Sequence, residues 1–251
     1  MKIQSFDDRR NYAIFENKSE AIQFAADHFL ETANKAIKAR GAFYVALSGG
    51  SSPKAIFEQL LARKDACDFT KVWLFWGDER AVPPTHPDSN YKMAMETAFS
   101  QLPVPKEQIF RMKAEHFIEK NALAYEKTIT EIVPDGSFDL LMLGMGEDGH
   151  TASLFPKTNA LRRQDRLVVA NFVPQKNQWR MTLTFPCINA SKNIAIYIFG
   201  KSKANKLAEV LNTPFNPDEA PIQAVGTEDS PALFILDQAA GQNLVSFSQH
   251  S

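Results

Sequence analysis

The spacing of hydrophobic positions divides much of the chain into helices and short apolar strands. Between Asn17 and Arg40, apolar residues recur at intervals of three and four, which is the period of an amphipathic helix. Asn17 and Glu20 form a capping-box pattern at its start, and Gly41 is placed to end it. The pattern therefore predicts one long helix before the first apolar strand.

A unit of strand, glycine-rich turn and helix follows. The almost wholly apolar run 42–47 is typical of a parallel strand that is buried on both faces. After the turn, Pro53 stands where a first helical residue would be, and Ser52 is its predicted N-cap. The same alternation of apolar strands, polar loops and helices continues along the chain. Further strands are predicted at 72–76, 138–143, 181–185, 193–199 and 232–236, and further helices from about Ser89 and over 202–211.

Strands that alternate with helices predict the α/β class, with a mostly parallel sheet and helices on both faces. The 251 residues contain 44% hydrophobic residues, enough to bury a large core. They contain no repeat, no low-complexity tract and no glycine- or serine-rich linker. A single domain over residues 1–251 is therefore expected.

Charge and composition narrow the function classes. The net charge is -1, so there is no overall basic field that would draw the protein to nucleic acid or to an anionic membrane. The charged N-terminus and the lack of long apolar runs predict a soluble, cytoplasmic protein. Cys67 and Cys187 lie outside any metal-ligand spacing, so neither a metal nor another cofactor is expected. An anionic substrate must then be held by a few placed cations.

Ligands of parallel sheets collect at the carboxyl ends of the strands, so the loops after the apolar runs are the informative places. The first is the turn formed by Ser48, Gly49, Gly50 and Ser51. Its backbone N–H groups, its hydroxyls and the helix N-terminus behind it suit a phosphate. The same residues are explained equally well as a tight turn before a helix that binds no ligand.

The second loop carries Asp78, Glu79 and Arg80, followed by two prolines. Such a cluster usually forms a surface ion pair that contributes little to the stability of the fold. Alternatively, the fork of Arg80 binds a phosphate, while Asp78 accepts hydrogen bonds from sugar hydroxyls or from Arg80. The prolines indicate a rigid, shaped loop and favour the functional interpretation. Farther along, Arg180 before a strand and Lys203 at a helix start would add two cations.

The third loop contains His150 between Gly149 and Thr151, directly after an apolar strand. A neutral imidazole can act as a general base at cytosolic pH, because the ordinary pKa of a histidine side chain is about 6.5. Asp148 is near enough in sequence to orient the ring. Isolated histidines are more often structural or solvated, and that interpretation is given to His28, His86, His116 and His250.

Three of these segments together carry a resemblance. Residues 47–53, residues 78–91 and above all residues 143–156 resemble the 6-phosphogluconolactonase family, and the resemblance spans nearly the whole chain. It implies a three-layer α/β arrangement around a modified Rossmann-like sheet, similar to that of glucosamine-6-phosphate deaminases. It also implies hydrolysis of 6-phospho-D-glucono-1,5-lactone, a small sugar-phosphate substrate, by a monomer or small homo-oligomer.

The resemblance also implies roles for individual residues. His150 matches the family's proposed general base, which activates water for attack on the lactone carbonyl. Arg80 and Lys203 match phosphate contacts, the turn 48–51 cradles the phosphate, Asp78 matches a site acid, and Arg180 matches a basic position near the sugar phosphate.

Two other functions are weighed against this one. Glucosamine-6-phosphate deaminases have a tyrosine in place of Arg80 and a glutamate in place of Phe155, and without that carboxylate the acid–base relay that isomerisation needs is missing. A non-catalytic sugar-phosphate sensor that regulates transcription would need a DNA-binding module. Only one helix is predicted before the first strand and there is no basic patch, so this function is disfavoured.

Overall fold

The computed structural model describes residues 3–244, so the assignment of His250 lies outside the described residues. Within them are ten strands and seven α-helices. The strands are β1 (Gln4–Asp7), β2 (Arg10–Phe15), β3 (Phe43–Leu47), β4 (Val72–Trp76), β5 (Asp78–Arg80), β6 (Leu140–Gly144), β7 (Val168–Val173), β8 (Gln178–Leu183), β9 (Ile194–Ile198) and β10 (Ala232–Asp237). The helices are α1 (Lys18–Arg40), α2 (Ser51–Ala62), α3 (Asn90–Ala94), α4 (Ile118–Ile132), α5 (Phe185–Asn189), α6 (Ala204–Asn212) and α7 (Gln238–Gly241).

The larger sheet has seven strands in the order β1-β2-β10-β9-β6-β3-β4. Every neighbouring pair in it is parallel except β1 with β2, which is antiparallel. The predicted α/β class with a mostly parallel sheet is therefore confirmed. All strands predicted for this sheet are present within one or two residues of their expected bounds.

The boundaries of α1 have clear local causes. The side chain of Asn17 accepts a hydrogen bond from the backbone N–H of Glu20 at 3.0 Å. At the other end, Gly41 takes φ +78°, and its N–H donates to the carbonyl of Ile37. Since only glycine adopts this left-handed conformation without steric cost, the sequence stops the helix where it was expected to.

The start of α2 differs from the prediction. Helix α2 begins at Ser51, its N-cap is Gly50 with φ +100°, and no side chain caps it. Ser52 therefore lies inside the first turn and is not the cap. Since the cap has no side chain, the first N–H groups of α2 have no side-chain acceptor at the cap position.

A second sheet, with three antiparallel strands in the order β5-β8-β7, was not predicted. Its strand β5 consists of Asp78, Glu79 and Arg80, which the sequence placed in a polar loop. Arg180 lies within β8, although it was expected to precede a strand. Two further strands, β1 and β2, come before α1, so the assumption that only a helix precedes the first strand is wrong.

One cluster of buried hydrophobic residues joins the two sheets. It includes Val45 and Ile196 from the larger sheet and Val168 and Met181 from the smaller one. Helix α1 packs against α2 and β10, and α4 packs against β7. The single domain expected for residues 1–251 stays a prediction.

Candidate active site

Four neighbouring strands of the larger sheet end at one edge. Strands β9, β6, β3 and β4 are adjacent and parallel, so the segments that follow them leave from the same side of the sheet. These segments carry all but one of the residues that the sequence nominated. They are Lys203 after β9, Asp148 and His150 after β6, Ser48, Gly49, Gly50 and Ser51 after β3, and Asp78 and Arg80 after β4.

The segment after β6 folds into a tight loop around an aspartate–histidine pair. Nδ1 of His150 lies 2.5 Å from Oδ1 of Asp148. The loop closes on itself, because Gly146 N–H donates to the carbonyl of His150 at 2.8 Å and Gly149 takes φ +82°. The expectation that Asp148 lies close enough to orient the ring therefore agrees with the geometry.

Electrostatics fix the charge of Asp148. Partial burial alone would raise the pKa of its carboxyl group, but the hydrogen bond and the charge of His150, with backbone N–H groups, outweigh burial and lower the pKa to about 2. Asp148 is therefore a carboxylate at any physiological pH. A carboxylate at Nδ1 keeps the proton on that nitrogen and leaves the lone pair on Nε2.

Two residues confine the other sides of the imidazole. A Cβ atom on Gly146 would lie 2.0 Å from Nδ1 of His150, so this loop position must be a glycine for the ring to sit where it does. Phe155 stacks on the ring, with centroids 3.8 Å apart and planes 16° apart. The side chain of His150 remains 26% exposed. Among residues 3–244, no hydrogen bond holds Nε2.

Asp78 is buried, with 6% of its surface exposed, and both of its oxygens accept hydrogen bonds. Oδ2 accepts from Oγ of Ser153 at 2.6 Å, and Oδ1 accepts from Nδ2 of Asn90 at 3.1 Å. Ser153 follows His150 in the segment after β6, so this carboxylate links the loop that carries His150 to β5. The geometry fits a brace between loops better than a carboxylate that faces a substrate.

Asn90 and Glu79 were not among the nominated residues, yet they organise the same edge. Oδ1 of Asn90 would lie only 1.8 Å from a Cβ on Gly49, so the first turn packs directly on this amide. The buried carboxylate of Glu79 accepts from the backbone N–H groups of Arg80, Asn90 and Tyr91. Burial raises the pKa of Glu79 although these backbone hydrogen bonds oppose it.

Arg80 and Arg180 form a pair of adjacent cations. They face each other in the register of β5 and β8. Nε of each guanidinium is buried and has no hydrogen-bond partner among the described residues. Burial, and next the charge of Arg80, lower the pKa of Arg180. Nη1 of Arg80 donates to the backbone carbonyl of Asp88. Guanidinium groups are well suited to bind a doubly charged anion.

The turn 48–51 and Lys203 add to this cationic edge. Ser48 is buried, while Gly50 and Ser51 are exposed at the N-terminus of the twelve-residue helix α2. Lys203 ends the 3-10 turn before α6, after Gly200 with φ +93°. No ion pair involves the half-buried Lys203 within residues 3–244. Both segments can present positive potential at the edge.

The part of the chain that the structure describes contains no group of three or more His, Cys, Asp or Glu side chains placed to hold a metal ion. None of its helices has the length and apolar character needed to cross a bilayer.

The protein is thus of the α/β class, and the carboxyl ends of its parallel strands lie beside an aspartate–histidine pair and a pair of arginines. The family model described as glucosamine-6-phosphate isomerases/6-phosphogluconolactonase matches residues 16–234. The chain therefore belongs to this family, as the sequence resemblance predicted.

Individual relatives agree with this assignment. The chain is 45% identical to a 6-phosphogluconolactonase of Chlamydia muridarum over 233 residues, and this alignment covers 92% of this chain and 90% of the relative. The crystal structure of 6-phosphogluconolactonase from Thermotoga maritima has a TM-score of 0.79 at 28% identity and covers 90% of this chain and 98% of that one. A monomeric glucosamine-6-phosphate deaminase has a TM-score of 0.80 at 20% identity, covers 92% of this chain and 99% of that one, and shares the fold.

Proposed function

We propose that this chain hydrolyses 6-phospho-D-glucono-1,5-lactone to 6-phosphogluconate, the lactonase step of the pentose phosphate pathway, with His150 as the general base. The relatives named 6-phosphogluconolactonase support the reaction. The observation that carries the mechanism is the 2.5 Å contact between His150 and Asp148, which leaves Nε2 free at the sheet edge.

The reaction follows from this pair. Nε2 of His150 takes a proton from a water molecule, and the water oxygen bonds to the lactone carbonyl carbon. A negative charge then forms on the carbonyl oxygen of the tetrahedral intermediate. When the intermediate collapses, the bond between this carbon and the ring oxygen breaks, and the imidazolium returns its proton to the ring oxygen. Asp148 remains ionised and stabilises the imidazolium between the two proton transfers.

The phosphate is held away from the reacting carbon. Arg80 and Arg180, which are paired across β5 and β8, bind it through their guanidinium groups, and Lys203 and the turn 48–51 complete its site. Asp78 accepts hydrogen bonds from Ser153 and Asn90 and so ties the His150 loop to β5 and α3. The reaction needs no cofactor, since water, a base and charge stabilisation suffice. We assign the protein to the cytoplasm, as a monomer or small homo-oligomer that binds neither nucleic acid nor membrane.

The test supplies purified protein with freshly generated 6-phosphoglucono-1,5-lactone and follows acid release in a pH-stat. Spontaneous opening is subtracted at each pH, and glucosamine 6-phosphate is supplied in parallel with ammonia as the readout. We expect acid release well above the spontaneous rate and no ammonia. Ammonia release without lactone hydrolysis would identify a deaminase and overturn the proposal.

A further inference from the structure

The face of the proposed base is covered by a buried aromatic ring. The rings of Phe155 and His150 are nearly parallel, with their centroids 3.8 Å apart, and Phe155 is only 2% exposed. The carbonyl of Phe155 accepts from Oγ1 of Thr158 at 2.8 Å, and Thr158 in turn accepts from Asn171 on β7. Phe155 is thus fixed by the smaller sheet while its ring lies against a loop of the larger one.

The imidazole has few ways to turn. Asp148 holds Nδ1, Gly146 leaves no space for an added atom beside Nδ1 and Cε1, and Phe155 covers a ring face. Rotation of the ring would break the hydrogen bond and the stack together. These contacts leave Nε2 as the ring atom available to a water molecule or a substrate.

The stack also acts on charge. The face of a phenyl ring carries a partial negative charge, so it attracts a cation more strongly than a neutral ring. His150 is neutral before proton transfer and cationic after it. An aromatic ring at this distance therefore favours the charged state that forms during the reaction, whereas an aliphatic side chain of similar volume would not.

We propose that Phe155 is a positioning residue for the base: it fixes the imidazole plane by stacking and stabilises the imidazolium that forms on proton transfer. The proposal rests on the proposed function, because it requires His150 to be the base. Phe155 acts through His150 and does not itself contact the reacting atoms.

The first test compares two substitutions of buried phenylalanines. Phe155→Leu removes the aromatic face and keeps an apolar side chain. Phe99→Leu is the matched control, since Phe99 is 1% exposed and packs edge-on against Phe57 in another part of the core. We expect Phe155→Leu to lower kcat roughly five- to tenfold with KM within about twofold. Phe99→Leu should lower the melting temperature and leave kcat unchanged.

The second test alters charge without altering shape. Phenylalanines with one, two and three fluorine atoms on the ring, introduced at position 155, should lower kcat stepwise, because each fluorine weakens the negative ring face. A flat series, or a Phe155→Leu protein with the kcat of the wild type, would overturn the role of Phe155. A wild type that fails to hydrolyse the lactone would instead overturn the proposed function, so the two failures are distinct.

Discussion

An alanine at position 146 should separate the two members of the His150–Asp148 pair. A Cβ built on Gly146 lies 2.0 Å from Nδ1 of His150, 2.2 Å from Cε1 and 2.6 Å from Oδ1 of Asp148. Real Cβ atoms essentially never approach another heavy atom closer than 3.0 Å. The imidazole must therefore move by about 1 Å or more, and a displacement of about 1 Å can lower a catalysed rate by about 10²-fold.

We expect Gly146→Ala to lower kcat by about 10²-fold and to change KM little, because no phosphate-binding group is touched. Gly144→Ala is a matched control two residues earlier, at the last residue of β6. The nearest atom to its added Cβ would be the carbonyl oxygen of Tyr197 at 4.0 Å, an ordinary contact. This control should keep kcat within about twofold of the wild type.

The assay is the pH-stat measurement on fresh lactone, with the spontaneous rate subtracted, and a melting curve is recorded for each variant. Two results would refute the reasoning. One is a Gly146→Ala enzyme with the kcat of the wild type. The other is equal loss of activity in both alanine variants, since that would point to general sensitivity of the loop and not to displacement of the base.

Three further predictions use the same assay. His150→Gln should fold normally and lose roughly 10²-fold or more in kcat, because the proton acceptor is removed, and an active but destabilised His150→Gln protein would contradict the assignment. Titration of Asp148 should leave no trace in kcat/KM near neutrality, because the pKa of this carboxyl group is lowered to about 2. Arg80→Ala should raise KM by roughly tenfold or more through loss of charged hydrogen bonds, while the exposed Arg162→Ala should not, and equally efficient hydrolysis of unphosphorylated gluconolactone would refute this phosphate site. Activity should survive exhaustive chelation with EDTA, and activity that is lost and then restored by one specific metal ion would disprove it.

Five of the seven strands of the larger sheet, all except β1 and β2, were predictable because their signals are local. Buried parallel strands are short apolar runs, and α1 carries its own start at Asn17 and its own stop at Gly41. The close approach of Asp148 to His150 also had a local signal, because the two residues are two positions apart in the chain and glycines lie on both sides of them. The structure adds the reason for one of these glycines, which is the space taken by the imidazole.

The smaller sheet had no such signal. Strand β5 consists of three charged residues and is too short to show an alternation of apolar and polar positions. Its partner in β8 lies about a hundred residues farther along the chain, as in the pairing of Asp78 with Thr182. The roles of Asn90 and Ser153 likewise depend on segments that meet only after folding. Their polar side chains look ordinary until Asp78 is seen to accept hydrogen bonds from both.

The division between the two sheets has a consequence for substrate choice. The paired arginines stand on β5 and β8 of the smaller sheet, while the imidazole stands on a loop of the larger one. Packing between the sheets and the hydrogen bonds of Asp78 therefore fix the separation between the paired arginines and the imidazole of His150. If the arginines bind the substrate phosphate and His150 is the base, this fixed separation selects lactones by the number of carbons between their phosphate and carbonyl groups.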